Sequence, residues 1–142
     1  MNGNDSNKKN KSEIHGILCP GQFPDRALVG NEYLTQQMDA DNMCNRIHHL
    51  TSMSRYFVVL PGTLGTLMEL SSIWCLLYIH PERLGQDGRP VIICYRDPWE
   101  PVCEAIIKGL NLPDSQHVNA IRYVDSAEEV FEIIDQDKAK AH

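Results

Sequence analysis

The chain lacks the features that would assign it quickly to several large classes. Its five cysteines (Cys19, Cys44, Cys75, Cys94 and Cys103) form no C-x-x-C pair, and most stand in apolar runs. They are expected to be buried free thiols of a cytosolic protein rather than a disulfide framework or a metal site. Basic residues are in the minority and the formal charge is −6, which argues against a broad nucleic-acid footprint. The most apolar stretch, around Ile73 to Ile79, is too short and interrupted to span a bilayer, and no secretory leader is expected. There is no internal repeat. What remains is an acidic chain of 142 residues, 42% hydrophobic, long enough for one domain with its own core. The expected location is the cytoplasm.

The most informative stretch is Tyr56-Phe-Val-Val-Leu-Pro-Gly-Thr-Leu-Gly-Thr-Leu-Met-Glu69. The run from Tyr56 to Leu60 reads as a strand buried on both faces. Pro61 and Gly62 end it, and a helical pattern follows to about His80. A strand that enters a helix through a glycine-containing turn leaves backbone N–H groups without helical partners, and the helix dipole adds positive potential there. Such a turn suits an anion, phosphate above all. Thr66 adds a hydroxyl and Glu69 places a carboxylate one turn further on. The plainer reading of the same residues is an ordinary turn followed by a solvated glutamate.

Strands and helices alternate along the remainder. The first 13 residues, rich in Asn, Lys and Ser, are expected to be a disordered tail. Ile14–Leu18 reads as a strand and 22–37 as a loop. Asp41 is the expected N-cap of a helix through about Ser54, with Met43, Ile47 and Leu50 on one face and Arg46 on its shoulder. His48 and His49 are adjacent and cannot chelate a metal from one helix face. Val91–Tyr95 is a buried strand, and a helix follows from about Trp99 to Leu110. Asn119–Val124 is the last strand. Ser126-Ala-Glu-Glu129 is a capping box that opens a helix to about Asp135, and 137–142 is expected to be a frayed tail. This order predicts an α/β fold, a Rossmann-like parallel sheet with flanking helices over residues 14–136. The helix after the glycine turn is apolar all round: Leu67, Leu70, Trp74, Leu77 and Tyr78 form one face, and Met68, Ile73, Cys75, Leu76 and Ile79 cover the rest. A helix of that kind must be covered on every side, which predicts a homodimer packed through Leu67–Ile79.

Pro61-Gly62-Thr63-Leu64-Gly65-Thr66-Leu67-Met68-Glu69 resembles the P-G-G-x-G-T-x-x-E signature of the lonely-guy family, often described as lysine decarboxylase-like. Met43-Cys44-Asn45-Arg46 resembles that family's companion M-x-x-R-K motif. The resemblance runs from about Ile14 to about Asp125. It implies a phosphoribohydrolase that releases base and ribose 5-phosphate from a nucleoside 5′-monophosphate, with no metal or other cofactor. By the same resemblance Arg46 and Glu69 are the catalytic residues. Glu32, Arg46, Gly62, Thr63, Gly65 and Thr66 are the substrate contacts. The chain departs from the pattern at Thr63, where the motif has glycine, at Ile47, where it has lysine, and at Met68, where many relatives have a second acidic residue. Measured against the family domain it is also expected to be N-terminally truncated, the strands ahead of Ile14 being absent. The alternative function is a nucleotide-binding or assembly module of the same descent without catalysis.

Overall fold

The computed structural model describes residues 12–22, 30–79 and 90–140. The expected tail at 1–13 lies almost wholly outside them. The chain forms two compact units, residues 1–49 and 50–142. Among the described residues, no helix is long and apolar enough to cross a membrane.

In the first unit, strand β1 (His15–Leu18) pairs in parallel with β2 (Gln36–Asp39), His15 opposite Gln36 and Leu18 opposite Asp39. The ladder extends past both ends, with Thr35 N–H donated to the Ile14 carbonyl (2.8 Å) and Ala40 N–H to that of Leu18 (2.7 Å). β2 is a correction to the expected loop over 22–37. Its sequence, Gln-Gln-Met-Asp, is exposed throughout, so no buried face imposes a period of two, and only pairing with β1 makes it a strand. Helix α1 (Met43–Ser52) follows and runs across the boundary between the units. Its cap is Asn42 and not Asp41: the Asn42 Oδ1 accepts the Asn45 N–H at 2.9 Å, satisfying one donor of the first turn.

The second unit is a three-layer α/β arrangement. Strands β3 (Tyr56–Val59), β4 (Val91–Tyr95) and β5 (Ile121–Val124) form an all-parallel sheet in the order β3-β4-β5. Helix α2 (Leu64–Ile79) joins the first two strands, and α3 (Arg96–Gly109) joins the second pair, with α4 (Ala127–Lys140) closing the chain. Successive strand residues point to opposite faces. Phe57, Val59, Ile92 and Cys94 therefore pack with Leu70, Trp74 and Leu77 of α2 and Trp99 and Cys103 of α3. Val91, Ile93 and Val124 pack on the other face with Val130 of α4. The fold class expected from the alternation of elements is the one observed.

Other expectations need adjustment at their boundaries. α2 begins at Leu64, about one turn before the apolar pattern becomes periodic. α3 begins at Arg96, although Asp97 within it keeps extended backbone (φ −96°, ψ 123°). α4 continues to Lys140 rather than fraying after Asp135, because Asp137 is held by Arg55 (2.7 Å) and by the Tyr56 hydroxyl (2.9 Å). Ser126 Oγ accepts the Glu129 N–H as the capping box requires, but the Glu129 carboxylate returns to the N–H of Asp125 rather than to that of Ser126. Of the cysteines, Cys19, Cys94 and Cys103 are buried, whereas Cys44 and Cys75 are exposed, being on helix faces that the rest of the described chain does not cover.

Candidate functional site

β3 and α2 build the candidate site in the second unit. β3 ends at Val59, and the chain turns through Leu60, Pro61 and Gly62. Thr63 then takes the N-cap position of α2, its carbonyl accepting the Leu67 N–H at 2.9 Å. Threonine is among the residues preferred there. Asn111 (φ 50°) is the non-glycine residue with positive φ among the described residues, so Thr63 occupies the motif's glycine position with ordinary backbone. By helix geometry the N–H groups of Leu64, Gly65 and Thr66 have no carbonyl within α2 to bond. They form the donor end of the dipole.

Two glycines of the turn serve different needs. Gly62 backs directly onto the Thr66 side chain, and a Cβ there would collide with Thr66 Oγ1 and Cβ. Glycine at this position allows the close approach. Around Gly65 nothing lies within 4 Å of where a Cβ would stand, so open space faces the first turn of the helix.

A cleft of about 400 Å³ lies against β3 and α2. Leu60, Pro61, Thr66 and Glu69 line it, together with the apolar Phe57, Leu70 and Ile73. Thr66 and Glu69, one helical turn apart, therefore share a cavity as their spacing suggests. Both are half-buried. Further along the same helix Leu70, only 1% exposed, and Ile73 anchor α2 in the core.

Arg46 and Glu32 belong to the first unit. Arg46, half-buried on α1, donates its Nε to the Ile17 carbonyl at 2.9 Å and so ties the helix to β1. Glu32 is exposed in the turn from Asn31 to Leu34, where Asn31 Oδ1 accepts the Tyr33 N–H (3.0 Å). Among the described residues there is no group of three or more His, Cys, Asp and Glu side chains able to hold a metal ion.

One contact to the turn escapes sequence reasoning altogether. The indole N–H of Trp99, at the start of α3, is donated to the Leu60 carbonyl at 2.9 Å. The two residues are 39 positions apart, and nothing in the pattern around Asp97-Pro98-Trp99 points to the end of the neighbouring strand β3.

The second unit thus brings a glycine turn, an open helix N-terminus and a carboxylate to one cleft of a parallel α/β fold. The family model described as possible lysine decarboxylase matches residues 3–134. The chain belongs to that family, and the match extends beyond both ends of the resemblance from about Ile14 to about Asp125. No curated protein matches the chain.

Proposed function

We propose that the chain is a phosphoribohydrolase that cleaves the N-glycosidic bond of a nucleoside 5′-monophosphate, giving free base and ribose 5-phosphate. The observation that carries this reading is the sharing of one cleft by Thr66 and Glu69 at the end of β3 and the start of α2. Membership of the family supports it.

Gly62, Thr63, Gly65 and Thr66 hold the 5′-phosphate through backbone N–H groups of the turn and through hydroxyls. The C1′–N bond breaks heterolytically, and positive charge develops at C1′ in an oxocarbenium-like transition state. The Glu69 carboxylate stabilises that charge and takes a proton from the attacking water, which adds to C1′ as hydroxyl. The base leaves with the bonding pair and takes up the proton that the water gave to Glu69, which restores the carboxylate. Acid–base help of this kind contributes about 10²- to 10⁴-fold. Arg46 grips the nucleotide with a planar fork, which lysine cannot reproduce, and Glu32 adds a polar contact. The protein acts as a cytoplasmic homodimer packed through Leu67–Ile79.

The test is incubation of the chain with a panel of nucleoside 5′-monophosphates and the matching free nucleosides, with assays for base and ribose 5-phosphate. Release from monophosphates and not from nucleosides is the expected result. Binding without release from any of them would favour the non-catalytic module.

A further inference from the structure

We propose that Trp99 is a positioning residue for this site, acting on the phosphate-holding turn through the Leu60 carbonyl. The proposal rests on the phosphoribohydrolase reading and adds a residue from a different element to its machinery. Leu60 is the first residue after β3 and immediately precedes Pro61 and Gly62. Its own side chain is 58% exposed, so packing of that side chain does little to fix the backbone where the strand hands over to the turn. The Trp99 indole supplies what packing does not. It is 2% exposed, seated in the core with Phe57, Val59 and Leu70, and its N–H reaches the Leu60 carbonyl at 2.9 Å. A donor whose ring is locked on all sides holds its acceptor to one position.

The turn is thus held at three successive points. Trp99 grips Leu60, Thr66 packs on Gly62, and the Thr63 carbonyl takes the first hydrogen bond of α2. Glu69 lies beyond all three, and Leu70 and Ile73 fix its part of the helix in the core. Loss of the indole bond therefore loosens the phosphate donors while leaving the carboxylate in place. Binding suffers more than the chemical step.

The molecule contains its own control. Trp74 is 7% exposed in the same core cluster and donates its indole N–H to the His117 carbonyl at 3.2 Å, on a part of the fold that does not line the Thr66–Glu69 cleft. Trp99→Phe and Trp74→Phe each keep an aromatic ring and remove one indole hydrogen bond. A merely structural role makes the two variants alike. The positioning role makes KM for the monophosphate, and Kd for ribose 5-phosphate as probe, rise by about three- to tenfold in Trp99→Phe, with kcat less affected and with both constants unchanged in Trp74→Phe. Amide hydrogen exchange of residues 62–67 should accelerate in Trp99→Phe beyond the change seen elsewhere in the chain, and not in Trp74→Phe. If the unaltered chain is active and the two variants match in KM, Kd and exchange at the turn, Trp99 has no positioning role. An unaltered chain that neither turns over a monophosphate nor binds ribose 5-phosphate overturns the functional reading itself, and the role of Trp99 falls with it.

Discussion

Gly62 lies against the side chain of Thr66 so closely that the space a methyl group would need is already occupied by the threonine Oγ1 and Cβ. Gly62→Ala must therefore expel Thr66 from its position in the turn. Gly65→Ala meets no neighbour and replaces glycine with a better helix former in the first turn of α2. Thermal unfolding should show Gly62→Ala with a lowered Tm and Gly65→Ala with a Tm equal to or above that of the parent. If Gly65 faces bound phosphate, Gly65→Ala loses affinity for ribose 5-phosphate in spite of its intact fold, because the new methyl fills the open space.

Glu69→Gln keeps the shape and removes the charge. Turnover of a monophosphate should fall by at least about 10²-fold, with ribose 5-phosphate binding retained, as measured by product assay and calorimetry. A variant that keeps most of its activity would remove Glu69 from the chemistry.

Arg46→Lys affects two properties. Lysine has no Nε–H to give the Ile17 carbonyl, so the tie between α1 and β1 is lost at a cost of about 1 kcal/mol, visible in denaturant unfolding. The planar fork is lost as well, so substrate affinity should drop by more than the stability change explains.

These residues differ in how far the sequence discloses them. The turn, its strand and its helix are legible because an apolar β-branched run, a Pro-Gly stop and a long apolar helix are local signals of distinct period. The expected burial of the strand on both faces is not met, since Val58 is 42% exposed. Thr66 and Glu69 follow from spacing along a helix. β2 is not legible, since Gln36–Asp39 has no buried side to reveal. Nor is the end of α4: the ion pair of Asp137 with Arg55 joins residues distant in sequence. The same holds for Trp99 and Leu60. Long-range partners carry no signature in either local sequence, and α1 shows the smaller version of the problem, with Asp41 and Asn42 equally suited to cap the helix until the backbone selects one.

Alkaline pH should destabilise the second unit. Burial pushes the Cys94 thiol up from about 9 to about 12, and burial also raises Cys103 and Tyr123, which share a hydrogen bond. Below pH 9 the thiols are protonated in both the folded and unfolded chains and contribute no pH dependence. Above it the unfolded chain loses protons that the folded chain keeps, so stability falls as pH rises toward the folded value. Urea unfolding between pH 8 and pH 11 should show the decline, and Cys94→Ala should flatten part of it.

Exposed thiols test the proposed dimer. Cys44 and Cys75 are exposed in the single chain, and Cys75 lies on α2 beside a groove lined by Tyr78 and Leu110. If a second copy covers α2, Cys44 reacts with a thiol reagent while Cys75 is protected until dilution separates the pair, and light scattering reports the larger mass. Equal reactivity of the two at all concentrations would rule out packing through α2.

The two tryptophans of the chain, both sealed in the core of the second unit, also make the protein its own optical reporter. In Trp74→Phe all indole emission comes from Trp99, whose N–H ends at the backbone of the turn. A ligand that tightens or displaces the turn alters the field along that indole, so occupancy of the cleft becomes readable as a change in emission wavelength or intensity without any label.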